Sequence, residues 1–350
     1  MALSSEMYLR RFKIQQNRQI SIGSIAYILY ISLTFLEQIM ATEMDQSYAL
    51  GLDLGGTYVK AAVVSLSGEI LDQDQVETPA ERKVDDTVKC IVQVVNELAK
   101  AWPDIVGVGL GSPGLVDRDR KIVRLSPNFP AWRDVPLKEM VAAAISPPIF
   151  LENDVNCFAL AEHRWGAGRG FENMLALTVG TGIGGAIIIH DQLYRGDSGA
   201  AGELGHVSVD LWGPKCACGN LGCVERYLGN QWFVAAAREA LEDESIQSPE
   251  QVSEMARKGD RKAIKFIEDR GEILGVACTS FIHIFDPEAI IIGGGIAQSG
   301  EAFFRGINRS VKERAYRILA DKVRILPAKL GTMAGAMGAA IIGFEAGSQR

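Results

Sequence analysis

The sequence predicts an α/β protein built as two α/β halves around a central cleft. Three observations carry that expectation. Short apolar runs end repeatedly in glycine turns. The order strand, glycine turn, strand occurs twice, far apart in the chain. The composition, 47% hydrophobic with 37 glycines and 12 prolines in 350 residues, suits a large buried core crossed by tight strand-to-helix turns.

The elements follow in order. A first strand at 49–54 runs into Gly55-Gly56-Thr57. A second at 59–66 ends at Ser67-Gly68-Glu69, and the chain resumes as a strand at Ile70, which is a hairpin pattern. A helix fits 84–101, with Val84, Val88, Ile91, Val92, Val95 and Leu98 on one stripe and Pro103 closing it. Buried strands at 105–111 and 149–152 end in Ser112-Pro113-Gly114 and at Asn153-Asp154. Then 175–179 runs into Gly180-Thr181-Gly182-Ile183-Gly184-Gly185, with the returning strand at 186–190. Helices fit 232–241, 249–258 and 261–285, and a strand at 289–292 enters Gly293-Gly294-Gly295. A last helix, rich in alanine and glycine, begins near Thr332. The two hairpins occupy equivalent places in two halves. The first domain is expected over 46–150 with 331–350 returned to it, where small residues allow close approach. The second is expected over 151–330.

The first 45 residues read differently. Arg10, Arg11, Lys13 and Arg18 precede an apolar run from Ile20 to about Leu36, the length of a signal-peptide core or a marginal span. No small-residue cleavage site follows it. The expectation is an N-terminal extension, non-native or disordered, with the domain opening near Met44; a membrane anchor and a packing helix are the alternatives.

Net charge is −7, so bulk charge offers no footprint for nucleic acid. Six cysteines in a chain of this length do not suggest a disulfide framework, and a reducing, cytoplasmic location is expected, without nucleic-acid or membrane partners. Cys90, Cys157 and Cys278 read as small packing residues.

The chemistry concentrates between Gly202 and Glu225. His206, Cys216, Cys218 and Cys223, set among turn-forming glycines, match a tetrahedral site for structural Zn2+. Four protein ligands leave no open position, so the metal stiffens a loop rather than activating water. Glu203 and Glu225 bracket the cluster, where a stiffened loop lets carboxylates grip a polar substrate.

Glycine at a strand end lets the backbone approach an anion and aim N–H groups at it. Gly55, Gly56, Gly180, Gly182 and Gly184 stand in such places, Thr57 and Thr181 offer hydroxyls to phosphate oxygens, and Asp53 is placed to hold Mg2+ through water. For any one hairpin alone, a plain structural turn is the alternative. The pattern is neither a P-loop nor a dinucleotide fingerprint. Locally, Asp154 reads either as a helix cap or as a carboxylate at a strand end, where α/β proteins place ligand chemistry.

Asp53-Leu54-Gly55-Gly56-Thr57, Glu152-Asn153-Asp154, Gly180-Thr181-Gly182-Ile183-Gly184-Gly185, Gly202-Glu203-Leu204-Gly205-His206 and Cys216-x-Cys218-Gly-x-x-Gly-Cys223-x-Glu225 together resemble the ROK family of sugar kinases and sugar-responsive repressors, from about Tyr48 to the C-terminus. The resemblance implies an actin-like (ribonuclease H-like) ATPase fold, with sugar at the base of the cleft and Mg-ATP between the domains. It implies Asp154 as catalytic base and sugar contacts from Asn153, Glu203, His206 and Glu225. His206 would serve zinc with one ring nitrogen and sugar with the other. Asn128 lies in a segment resembling one near the sugar, and the backbone at Gly114 is placed to approach it. Gly294 and Gly295 let the backbone pass the adenosine and phosphates. A homodimer or homotetramer is implied as well. The expected activity is that of an ATP-dependent hexose kinase, glucokinase first, acting on the 6-hydroxyl. An N-acetylmannosamine or N-acetylglucosamine kinase and a repressor are the alternatives; 45 leading residues are short for a winged-helix module. The choice between ATP and polyphosphate as donor stays open.

Overall fold

A computed structural model describes residues 47–348; the expected N-terminal extension lies outside the described residues. The strand β1 (Tyr48–Leu54) is buried on nearly every residue, as a central strand covered on both faces must be. It forms a hairpin with β2 (Tyr58–Ser65), which pairs in turn with β3 (Ile70–Glu77). β3 alternates half-buried and exposed residues along its whole length, the pattern of an edge strand with one solvated face. After α1 (Val84–Ala101), β4 (Val108–Ser112) returns parallel to β1. A small three-stranded sheet follows, β5 (Leu115–Val116), β6 (Val123–Leu125) and β7 (Arg133–Val135), then α2 (Leu137–Ala142). β8 (Ile149–Asn153) completes the first sheet in the order β3-β2-β1-β4-β8. β8 pairs with β4 through Asn153, so residues 151–153, assigned by sequence to the second domain, belong to the first sheet.

The second half repeats the plan. After α3 (Asp154–Trp165), β9 (Met174–Val179) and β10 (Ile183–Ile189) form a hairpin edged by β11 (Gln192–Leu193). The chain then passes through α4 (Glu225–Leu228), α5 (Asn230–Leu241), α6 (Pro249–Arg257) and α7 (Arg261–Phe285). β12 (Ala289–Gly293) lies parallel to β9, and after α8 (Glu301–Arg314) and α9 (Arg317–Ala320), β13 (Arg324–Pro327) lies parallel to β12. The order β11-β10-β9-β12-β13 mirrors the first sheet strand for strand. The last helix is α10 (Ala334–Gly347).

One departure from the sequence expectation bears on the site. β10 starts at Ile183, three residues before the expected strand, so Gly184 and Gly185 are ladder residues opposite Thr178 and Leu177. The small sheet and β13 are too short to show a period, and α8 is strongly polar on its outer face, which hides its apolar stripe.

α1 closes the outer face of the first sheet through Ile91, Val94 and Val95, while α5–α8 cover the outer face of the second. α3 and α10 fill the space between the sheets, where Ala49, Ala62 and Val64 from one sheet share a core with Ala176, Ala186 and Ile291 from the other. The α10 backbone lies directly on the first sheet. A Cβ at Gly109 would stand 1.8 Å from the Ala339 carbonyl oxygen. Among the described residues no helix is long and apolar enough to cross a membrane.

Candidate active site

The end of β8 delivers Glu152, Asn153 and Asp154 to the start of α3. Asn153 is the helix cap: its Oδ1 accepts from the N–H groups of Val155 (2.9 Å) and Asn156 (3.0 Å). Its Nδ2 donates to the Gly114 carbonyl (3.0 Å) and to Asp154 Oδ1 (3.0 Å). Because Asn153 takes the capping role, Asp154 becomes the first helical residue. Its carboxylate is held by Asn153 and by the Val155 N–H (3.0 Å). Gly114 adopts φ of +100° and supplies the carbonyl that orients Asn153.

Asp53 on β1 pairs across to Gly111 on β4, which pairs to Glu152 on β8. A Cβ at Gly111 would meet the Asp154 Cα at 3.6 Å, so this bare backbone separates the two acids. Asp53 also lies against the first turn of α10, where a Cβ at Gly335 would be 2.6 Å from its Oδ2. Burial pushes the Asp53 carboxyl up to about 6, with Lys60 pulling it back. Burial also pushes Asp154 up to about 7, helped by the negative charge of Asp53 and more weakly by Glu203, and opposed by its backbone hydrogen bonds. Two desolvated carboxyls of like charge are a donor set that a hard cation satisfies, and oxygen ligands suit Mg2+.

The glycine turns differ in their support. Gly55 closes the first: its N–H donates to the Tyr58 carbonyl (2.8 Å) and its carbonyl accepts from Thr78 Oγ1 (2.8 Å). Gly56 packs beside Arg82 and Asn128, whose carbonyl accepts from Arg82 Nη1 (2.7 Å), while Thr57 is exposed. In the second, the Gly180 N–H donates to Gly182 (2.9 Å), and Gly180 accepts from the Asn230 N–H (2.9 Å) at the start of α5. Thr181 is exposed at its tip. Gly294, at φ +92°, lies on the end of β9, where a Cβ would strike the Val179 carbonyl oxygen at 2.3 Å; Gly295 follows beside Glu250. The second and third turns therefore share one corner of the second sheet. Gly184, inside β10, lets Val155 of α3 approach: a Cβ there would be 2.3 Å from Val155 Cγ2.

Glu225, at the start of α4, accepts from the Ile183 N–H through Oε2 (2.9 Å) and lies over Gly182. Glu203 stands 3.8 Å from His206 Nε2, and burial raises its carboxyl, with His206 lowering it and Glu225 raising it. On the other side of the ring, His206 Nδ1 is 3.6 Å from Cys216 Sγ, and Cys218 Sγ is 3.6 Å from Cys223 Sγ. The four ligand atoms lie within 4.8 Å of one another. Zinc–sulfur bonds of about 2.3 Å at tetrahedral angles separate sulfurs by about 3.8 Å, so the residues fit a Zn2+ ion. Local chemistry makes the cluster: Gly219 and Gly222 take positive φ, and Asn220 Nδ2 bonds the His206 carbonyl (3.1 Å) and Ser208 Oγ (3.0 Å).

Sequence reasoning gives no role to three polar residues that the fold pairs at or behind the site. Glu152 is buried and pairs with Arg195 Nε at 2.7 Å. Glu162, also buried, accepts from the N–H groups of Ala167, Lys329 and Leu330, tying α3 to the segment before α10. Arg82 joins the first glycine turn to Asn128. For Glu152 the available signal is an acid inside an otherwise apolar strand.

A family model described as the ROK family matches residues 49–345. The chain is 38% identical over 311 residues to a glucokinase of Thermotoga maritima, covering 85% of this chain and 98% of that one. It is 32% identical to a xylose repressor of Bacillus spizizenii, covering 85% of this chain and 77% of the repressor. Its fold matches the crystal structure of a ROK family glucokinase from Streptomyces griseus in complex with glucose and AMPPNP, with a TM-score of 0.76 and 33% identity, over 85% of this chain and 100% of that chain.

Proposed function

The chain belongs to the ROK family and is a sugar kinase of actin-like fold; from that premise we propose that it is a glucokinase that phosphorylates the 6-hydroxyl with ATP, Asp154 acting as general base. The observation that carries this reading is the Asp154 carboxylate. It is held at the first residue of α3 by Asn153 and raised by burial to about 7, the range in which a base works at neutral pH. The likenesses to glucokinases support glucose as the acceptor.

Bound Mg-ATP supplies the γ-phosphoryl group and a cation that draws charge off the phosphate oxygens. Asp53 is the side chain that would hold the cation, and Gly55, Gly56, Thr57, Gly180, Thr181, Gly182, Gly294 and Gly295 would offer backbone and hydroxyl donors to the nucleotide. Glu203, His206 and Glu225 hold sugar hydroxyls, and Asn128 and Gly114 line the same side. Asn153 orients the base, and because its amide is fully hydrogen-bonded within the protein, a sugar hydroxyl binds it by replacing one of those partners. As the sugar oxygen bonds to phosphorus and ADP leaves, Asp154 takes the hydroxyl proton and returns it to solvent. Positioning by these residues supplies most of the rate enhancement in this reaction class. His206, Cys216, Cys218 and Cys223 would hold a structural Zn2+, a role that would fix the His206 ring with its other nitrogen toward the sugar.

ADP release tests this with glucose, mannose, fructose, N-acetylglucosamine and N-acetylmannosamine, on zinc-loaded protein, with ATP and with polyphosphate. Turnover on glucose at least tenfold above the other sugars is expected. Turnover confined to an acetylated sugar moves the assignment to an amino-sugar kinase. The likeness to xylose repressors favours a second reading, sugar-responsive DNA binding. Sugar binding without turnover, together with a sugar-sensitive gel shift, would establish it.

A further inference from the structure

We propose that the ion pair between buried Glu152 and half-buried Arg195 is the joint that keeps the sugar-binding loop in register with the general base, which makes Arg195 a positioning residue for both. The inference rests on the reading of Asp154 as base and Glu203 as sugar contact.

Glu152 is 2% exposed, and its carboxylate accepts from three donors. Two of them set the base: the Asn153 N–H (3.0 Å) belongs to the residue that caps α3 and bonds Asp154, and Asn156 Nδ2 (2.9 Å) belongs to the first turn of α3. The third, Arg195 Nε at 2.7 Å, comes from the other half, just past the edge strand of the second sheet. A buried carboxylate is costly unless paired and fully hydrogen-bonded, and here each bond has a separate anchor.

The backbone of Arg195 starts the loop that leads to Glu203. Its carbonyl accepts from the Ala201 N–H (3.1 Å), closing residues 195–201 into a ring. Gly202, at φ +96°, then turns the chain against Gly185 of β10 and presents Glu203. One residue thus fixes the loop through its main chain and the support of the base through its side chain. Two weaker contacts dock the same loop on the first half. Arg118 pairs with Asp197 at 3.1 Å on the exposed surface, and Gly199 lies on residues 116–118, where a Cβ would be 2.6 Å from the Val116 carbonyl oxygen. A fully exposed pair contributes little, so the pair whose carboxylate is buried carries more of the register. Lysine has no equivalent of the guanidinium Nε and does not reproduce this geometry.

Arg195→Met, Arg195→Lys and Glu152→Gln in the full chain test the inference. Arg195→Met is expected to raise the sugar KM and lower kcat, each by about 10-fold, since an ångström of misplacement costs on that order or more. The ATP KM should stay within about twofold, and Arg195→Lys should restore only part of the loss. Hydrogen exchange gives a readout independent of turnover: protection should fall both in residues 196–203 and at Asn153, Val155 and Asn156. Kinetics within twofold of wild type alongside a lowered Tm would overturn the proposal, as would faster exchange confined to 196–203. Should Arg195→Met fail to fold, Arg195→Lys and Glu152→Gln carry the same comparison. A wild type that phosphorylates no sugar defeats the functional reading, and the exchange result still decides whether the pair couples loop and helix.

Discussion

The two halves share one strand order and one hairpin, and they differ in what stands at the hairpin's end. In the first, Asp53 sits one residue before the last of β1, across from Gly111. In the second, the equivalent place before the last residue of β9 is Thr178, across from Gly293. The first half thus brings a charge to its turn and pairs it with a second acid, Asp154, at the end of β8. The second brings a hydroxyl and a corner of bare backbone, and it borrows Glu225 and the zinc loop for polar contacts. A duplicated scaffold has become one wall whose hairpin ends in an acid and one whose hairpin ends in bare, donor-rich backbone. Phosphoryl transfer needs both, since it requires a base and a cation site on one side and N–H groups that donate to phosphate oxygens on the other.

The largest expected effect breaks the acidic wall at its centre. Asp154→Asn should lower kcat by about 1,000-fold, within the range general-base catalysis contributes, with glucose binding by calorimetry within threefold. Wild-type turnover in that variant would end the assignment.

Asp53→Thr makes the first hairpin like the second. A loss of about 100-fold in kcat is expected from removing the carboxylate proposed to hold the cation. It should also move the acid limb of kcat/KM downward from about 7, because the negative charge of Asp53 helps hold the Asp154 carboxyl up. A limb that moves upward would refute the electrostatic coupling between these acids.

Cys218→Ser addresses the other wall. Zinc content by atomic absorption should fall and the glucose KM should rise about 10-fold, with the ATP KM little changed, as expected for loss of a support that orients ligand side chains. Loss of metal with an unchanged glucose KM would separate the zinc from the sugar site.

The smallest effect is on stability. Burial raises the Asp154 carboxyl from 3.8 to about 7, so the folded protein holds that proton more tightly than the unfolded chain does. The cost of charging it is full above pH 7 and fades as pH falls from 7 toward 4. Asp154→Asn should therefore raise Tm by a few degrees at pH 8, and the gap should close near pH 4. An equal shift at both pH values would show that desolvation of this charge is not the source. The acid that serves catalysis is thus expected to weaken the fold.

Features encoded within a short stretch of chain are legible in the sequence. Cys216, Cys218 and Cys223 lie on one loop, so their spacing and the turn glycines announce a candidate metal site, and His206 joins them through one small bridge. The cap on α3 is likewise local, although residue type alone leaves open whether Asn153 or Asp154 fills it. The main strands and helices follow from apolar period. Gly184 is the instructive exception. By residue type it belongs to a turn, yet the β9–β10 ladder runs through it because Val155 occupies the space a side chain would need.

The sequence by itself determined the α/β class, the doubled hairpin, the His/Cys cluster and the polar residues at strand ends, because each depends on neighbours in the chain. Only the tertiary structure decided that Asp53 stands close enough to raise the Asp154 carboxyl, that α10 lies with Gly335 against Asp53, and that Arg195 reaches Glu152 from the other half. Those contacts join residues far apart in the chain. Strand order and the packing of two helices between two sheets set them, and no local period encodes either.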